Sequence, residues 1–101
     1  MSYTQMTIDI IKAIREVPFG FVCSYGEVAK AAGYPNGARQ VVRVLSSLSS
    51  KENLAWHRIV NKKGEIALSG DGEFEQILRL EMEGVKFVKE GKVSSACFYH
   101  F

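Results

Sequence analysis

Between Ser24 and Gly37 the chain carries start and stop signals for one short helix and, directly after them, a turn into a second. Ser24-Tyr25-Gly26-Glu27 has the S-x-x-E form of a capping box. Its serine side chain can accept from an orphan amide at the third helical position while its glutamate reaches back. The helix so opened runs through Val28, Ala29 and Ala32, and Gly33 suits a left-handed C-terminal stop. Tyr34-Pro35-Asn36-Gly37 then reads as a turn. A second helix is predicted over 37–49, with Ala38, Val41, Val42, Leu45 and Leu48 on its buried face and Arg39, Gln40, Arg43, Ser46 and Ser47 outside. Two short helices joined by a tight glycine-containing turn, the second bearing arginines and small polar residues, predict a helix-turn-helix.

The flanking segments complete a small α/β domain. Tyr3, Met6, Ile10, Ile14 and Val17 recur at three- and four-residue spacing, which predicts an amphipathic helix over 4–17, ended by Pro18-Phe19-Gly20. Arg58-Ile59-Val60 and Glu65-Ile66-Ala67-Leu68 flank Asn61-Lys62-Lys63-Gly64 and read as two extended segments around a turn, a wing-like hairpin. Ser69-Gly70-Asp71-Gly72 reads as a loop, and Phe74, Ile77, Leu78 and Met82 mark a helix ending at Gly84. Val85-Lys86-Phe87-Val88 and Lys92-Val93 form a terminal hairpin around Glu90-Gly91. The expected class is winged-helix-like α/β with a helix-turn-helix and small β-hairpins. At 101 residues the chain, 1–101, is expected to be a single domain with one core.

Charge is unevenly distributed. Val28 through Lys51 contains no Asp or Glu but holds Lys30, Arg39, Arg43 and Lys51, the footprint of a polyanion-facing surface or of a solvated helix that lacks acids. From Asp71 to Glu83 the balance reverses, with Asp71, Glu73, Glu75, Glu81 and Glu83 against Arg79, a stretch best read as a solvated helix face. The longest uncharged run, Val17 to Gly26, has ten residues, whereas a membrane helix needs about 20, so no membrane association is expected. No signal peptide is apparent. Cys23 and Cys97 lie far apart with no His or Cys at metal-ligand spacing, so they read as reduced thiols of a cytoplasmic protein. No metal or cofactor is expected. His57 and His100 are the only histidines, a thin supply for a conventional active site.

Four motifs in order then carry a resemblance. Ser-Tyr-Gly-Glu-Val-Ala at 24–29, Ala-Arg-x-Val at 38–41, His-Arg-Ile-Val at 57–60 and Glu-Gly-Val at 83–85 are similar to the DNA-binding domain of O6-alkylguanine-DNA alkyltransferases, over about residues 5–88. Those enzymes read Pro-Cys-His-Arg-Val where this chain reads Ala55-Trp56-His57-Arg58-Ile59. A tryptophan in place of the alkyl-accepting cysteine resembles the alkyltransferase-like proteins. Dealkylation needs a thiolate to attack the carbon on guanine O6, and an indole has no ionisable nucleophile for that step.

The resemblance implies residue roles. His57 and Glu83 match the pair that activates the cysteine and would become structural here. Arg39 matches the arginine that enters the duplex from the minor groove and fills the gap left by a flipped base. Its planar guanidinium suits that task better than an ammonium. Tyr25 matches the tyrosine that crowds the target's 3′ phosphate, and Trp56 would line the base pocket. Gly37, Ala38 and Arg43 accompany Arg39 on the DNA-binding helix, and Leu68 and Ser69 match the loop that closes over the pocket. The implied partners are duplex DNA containing O6-alkylguanine and nucleotide excision repair proteins. The protein would act as a monomer, nucleoid-associated when bound. Read without the resemblance, Arg39 is a phosphate contact or a solvated arginine, and Tyr25 and Trp56 are core aromatics.

The chain also departs from the enzymes' pattern. Val42 stands where they usually have glycine, Ala55 replaces a proline, Lys51-Glu52-Asn53 is a shortened segment, and Ser69 stands where some relatives place an arginine. The first expectation is therefore a non-enzymatic sensor that flips O6-alkylguanine into a tryptophan-lined pocket. One alternative is an active transferase using Cys23 or Cys97. Another is a winged-helix regulator that reads undamaged sequence in the major groove.

Overall fold

A computed structural model describes residues 2–101. Its first helix, α1 (Gln5–Glu16), starts where Thr4 caps the amide of Thr7 at 3.2 Å, and it buries Ile10, Ile11, Ala13 and Ile14. A two-residue strand β1 (Cys23–Ser24) leads directly into α2 (Tyr25–Ala31). Ser24 Oγ accepts from the Glu27 amide at 3.1 Å, so the serine half of the capping box is made. Glu27 itself lies exposed in solvent. The left-handed stop falls at Gly33, whose φ is +101°, a conformation that costs other L-residues strain.

After the turn, α3 (Ala38–Leu48) begins at Gly37, where an added Cβ would stand 3.0 Å from both the Cβ and the carbonyl oxygen of Tyr34. The close approach of the two helices in the helix-turn-helix thus requires glycine there. Val28 and Ala29 of α2 pack with Val41 and Val44 of α3 against the inner face of α1, and Leu54 and Ile59 close this larger core. Val44, not Val42, completes the buried stripe of α3, while Val42 is 45% exposed on the opposite side. Two adjacent valines cannot both face inward at 100° per residue, and the tilt of α3 across α1 selects Val41 and Val44.

The chain then makes a one-turn 3-10 helix, Trp56–Arg58, and strand β2 (Ile59–Val60). The expected wing hairpin between 58–60 and 65–68 does not form. β2 instead pairs in parallel with β1, Cys23 opposite Ile59 and Ser24 opposite Val60. Ile59 and Val60 are both buried, and two consecutive buried residues suit a strand covered on both faces, not an edge of a hairpin. The turn at 61–64 survives, with Asn61 Oδ1 accepting from the Lys63 and Glu65 amides. Beyond it Glu65 bridges to Lys92, and the Ile66 amide donates to the Gly91 carbonyl at 2.9 Å.

Helix α4 (Gly70–Met82) starts within the predicted loop, with Asp71 and Glu73 in its first turn complementing the helix dipole. Its inward residues are Gln76 and Leu80, while Phe74 and Met82 are 70% and 77% exposed and Leu78 is also exposed. The apolar stripe Phe74–Leu78–Met82, read from sequence as the face of this helix, therefore points to solvent. The C-terminal hairpin holds as expected: β3 (Phe87–Lys89) pairs antiparallel with β4 (Lys92–Val93), with an irregularity between Phe87 and Lys89. A second core of Val22, Val60, Leu80, Val85 and Val93 lies beneath it. The last residues return alongside Val22, whose amide donates to the Cys97 carbonyl and whose carbonyl accepts from Tyr99. The whole is a winged-helix-like α/β arrangement in which the small sheets carry the 56–60 segment to the flank of α3. No helix among the described residues is long and apolar enough to cross a membrane.

Candidate nucleic-acid interface

The exposed side of α3 is built by its period. Arg39, Val42, Arg43 and Ser46 fall three or four residues apart and are all exposed, so they form one stripe along the helix. Ala38 is half-buried and Gly37 is buried at the helix start, which seats Arg39 in the first turn. No hydrogen bond or ion pair to Arg39 or Arg43 occurs among the described residues. Two free guanidiniums on one helix face, with no acid on α3, make a surface that favours phosphate.

Beside this stripe lies a cavity of about 150 Å³ lined by Tyr25, Val42, Leu45, Ser46, Trp56, Leu68 and Gln76. Val42 and Ser46 belong to both features, so the cavity opens one to two helical turns from Arg39 along the same face. Tyr25 reaches it from the first turn of α2, where the cap at Ser24 sets the direction of the helix start. Trp56 enters from the 3-10 turn, with its ring under the Arg79 guanidinium at 5.6 Å and edge-on to the His57 ring at 6.1 Å. Leu68 covers it from the loop before α4. Ser69 does not line it, because its extended backbone serves as the N-cap position of α4 and places it in solvent. Sequence patterning missed Gln76, since a glutamine among acids on a surface helix reads as solvated. Its one legible cue is the i, i+4 spacing from Leu80.

Behind the tryptophan, Glu83 gathers three segments. Its carboxylate accepts from the Gly20 amide at 2.8 Å, from His57 Nε2 at 2.7 Å, and from Arg58 Nε and Nη2 at 3.0 and 2.9 Å. Arg58 Nη1 also donates to the Val17 carbonyl, so the guanidinium ties the end of α1 to the C-terminus of α4. Burial by itself raises the Glu83 carboxyl, but the Arg58, Gly20 and His57 hydrogen bonds outweigh it and hold the group at about 2. Burial pushes the His57 imidazole below its ordinary value against the hydrogen bond and charge of Glu83, which raise it. His57 is therefore neutral with its proton on Nε2, and Nδ1 is a buried lone pair without a partner.

These shifts have one sign for stability. Glu83 contributes fully above its unfolded value near 4.5 and loses that contribution as pH falls toward about 2. His57, favoured neutral in the fold, contributes fully above its ordinary 6.5 and loses the contribution below it. Acidification from pH 7 to pH 3 is expected to lower stability by about 2 kcal/mol through Glu83 alone. Urea unfolding at the two pH values checks this, and an unchanged midpoint would refute it.

Neither cysteine lines the cavity. Cys23 is buried in β1, and burial pushes its thiol up to about 11, so it is protonated at neutral pH. Cys97 sits in the C-terminal 3-10 turn, its Sγ accepting from the Lys86 amide at 3.5 Å. No cluster of three or more His, Cys, Asp or Glu side chains is placed to hold a metal ion among the described residues.

With this geometry in view, the comparisons with known proteins are specific. A family model described as the DNA-binding domain of 6-O-methylguanine DNA methyltransferase matches residues 5–85. The DNA base-flipping protein of Vibrio parahaemolyticus is 39% identical over 90 residues, which span 89% of this chain and 90% of its own length. Alkyltransferase-like protein 1 of Schizosaccharomyces pombe is 39% identical over 88 residues, 85% of this chain and 82% of its own. The crystal structure of S. pombe Atl1 in complex with damaged DNA containing O6-carboxymethylguanine matches at a TM-score of 0.83 and 30% identity, covering 100% of both chains. The chain therefore belongs to the family of the 6-O-methylguanine DNA methyltransferase DNA-binding domain, as one of its alkyltransferase-like members.

Proposed function

We propose that this protein is a non-enzymatic sensor of O6-alkylguanine in duplex DNA. Arg39 enters the duplex and takes the place of the target base, Arg43 and the start of α3 hold phosphate, and Tyr25 crowds the backbone beside the target. The flipped base occupies the cavity between Tyr25, Trp56 and Leu68. Extrusion costs a few kcal/mol, and stacking on an aromatic ring returns about 1–3 kcal/mol per base. The lesion is left intact, and the complex flags it for nucleotide excision repair, as the resemblance to alkyltransferase-like proteins implies.

The observation that carries this reading is Trp56. It stands in the cavity next to an intact His57–Glu83 pair, in the place where transfer would need a thiol, and no cysteine reaches that space. Two further supports are the bare arginine stripe beside the cavity and the likeness to a relative solved on O6-carboxymethylguanine DNA.

Titration of a duplex containing one O6-methylguanine, against the same duplex with guanine, is the direct experiment. Trp56 is the sole tryptophan, so its fluorescence reports on the cavity itself. Tighter binding to the methylated duplex with quenching of Trp56 is expected, and the protein mass is expected to be unchanged after incubation. Equal binding of both duplexes would favour a regulator reading undamaged sequence, and a methyl group on Cys23 or Cys97 would establish a transferase.

A further inference from the structure

Gln76 is the polar residue that the functional reading leaves unused. It is 1% exposed, lines the cavity beside Trp56, and projects from the inner face of α4. Its Nε2 donates to the His57 and Ile59 carbonyls, each at 3.0 Å. Carbonyl oxygens cannot donate, so those two partners fix which way the amide is turned. The other end, Oε1, is then a buried acceptor with no partner in the structure. A buried amide oxygen left unpaired is costly, and a native fold that keeps one has a use for it.

We infer that Gln76 Oε1 is the cavity's acceptor for the exocyclic 2-amino group of the flipped purine, and that this contact selects guanine-derived lesions. The inference rests on the reading of the cavity as the flipped-base site. O6-alkylation removes the N1 hydrogen of guanine, so the 2-amino group is the only N–H donor left on the Watson–Crick edge. An acceptor that cannot donate pairs with that group and with nothing else on the lesion's edge. Adenine and hypoxanthine derivatives carry no 2-amino group and would leave Oε1 stranded. Sites built around one buried hydrogen bond reject analogues that lack it more strongly than apolar pockets reject a missing methyl. The work is thereby divided: the apolar wall of Trp56 and Leu68 meets the alkyl group, and Gln76 identifies the purine that carries it. The two carbonyl bonds make this a rigid reader, because rotating Oε1 away would unpair His57 O and Ile59 O as well.

The test compares duplexes carrying O6-methylguanine, 6-methoxypurine (the same base without its 2-amino group) and guanine at one position. They are titrated with the full chain and with Gln76→Met and Gln76→Lys. Lysine keeps donors for the His57 and Ile59 carbonyls but has no acceptor, so it isolates Oε1 and stands in should the methionine variant fold poorly. The wild type is expected to bind O6-methylguanine about 10-fold more tightly than 6-methoxypurine, the effect of leaving one buried acceptor unpaired. In either variant the ratio is expected to fall close to one. Because each ratio is taken within one protein preparation, partial unfolding cancels. A wild type that prefers O6-methylguanine to guanine but binds 6-methoxypurine equally well would overturn the role of Gln76 and leave the cavity reading standing. A wild-type ratio that persists in a folded variant would also overturn it. No preference for O6-methylguanine over guanine would remove the cavity reading, and this inference with it.

Discussion

Glu83→Ala is expected to destabilise the fold by about 3–5 kcal/mol, the range for breaking a buried ion pair by deleting one partner. The Glu83 side chain is 8% exposed and accepts from Gly20, His57 and Arg58 together. Alanine would leave the Arg58 guanidinium, itself largely buried over the Phe19 ring, without a counter-charge. It would also strand the Gly20 amide, and the cost exceeds what the shorter side chain regains by desolvation. For a domain of this size the thermal midpoint should fall by roughly 15–30 °C. Glu75→Ala supplies the contrast. Its ion pair with Arg79 is exposed on both sides, so about 0.5 kcal/mol or less is expected. Thermal melts of both variants decide the matter, and a Glu83→Ala loss no larger than that of Glu75→Ala would show that the three segments are held by other contacts.

Arg39→Ala is expected to weaken binding to an O6-methylguanine duplex by about 1–3 kcal/mol, the range for losing a well-placed arginine contact to a base. The side chain is exposed and makes no contact within the protein, so its removal leaves the fold alone and any loss belongs to the complex. Arg39→Lys should recover little, because a compact ammonium cannot fill the space of a base or present a planar donor edge. A fluorescent base opposite or beside the lesion would report flipping separately from affinity. Lesion affinity undiminished in Arg39→Ala would transfer the intercalating role to another residue of the stripe.

The two variants probe different layers, and the layers differ in how visible they are in sequence. Arg39 sits in Ala38-Arg39-x-Val41, behind Gly37, and the structure seats it as that motif implies, in the first turn of a helix with open space before it. Glu83 and His57 lie 26 residues apart, and only their resemblance to an activating pair linked them before the 2.7 Å bond did. Arg58, which holds the same carboxylate with more bonds than His57 does, had no such precedent and read simply as the start of a strand. Trp56 against its base rate as a core residue was a similar case, settled in favour of the cavity by its neighbours Tyr25 and Leu68.

Signals that act within one or two turns were therefore readable from residue order. The Ser24 cap, the Gly33 stop, the Gly37 approach, the Asn61 turn and the Gly84 helix end depend on a handful of consecutive residues and on backbone conformations few side chains adopt. Which face of an element turns inward is another matter. Hydrophobic periodicity assigned α4 the stripe Phe74–Leu78–Met82, yet the helix packs through Gln76 and Leu80, because two backbone carbonyls in the 57–59 segment needed a donor and apolar side chains have none. Likewise Ile59 and Val60 paired with Cys23 and Ser24, residues far off in the chain, once the two cores had closed around both strands. The helix-turn-helix and its arginines were local facts of the chain. The cavity and its buried acceptor exist only where four distant segments meet, since an unsatisfied polar group acquires its cost, and its use, when packing takes the water away.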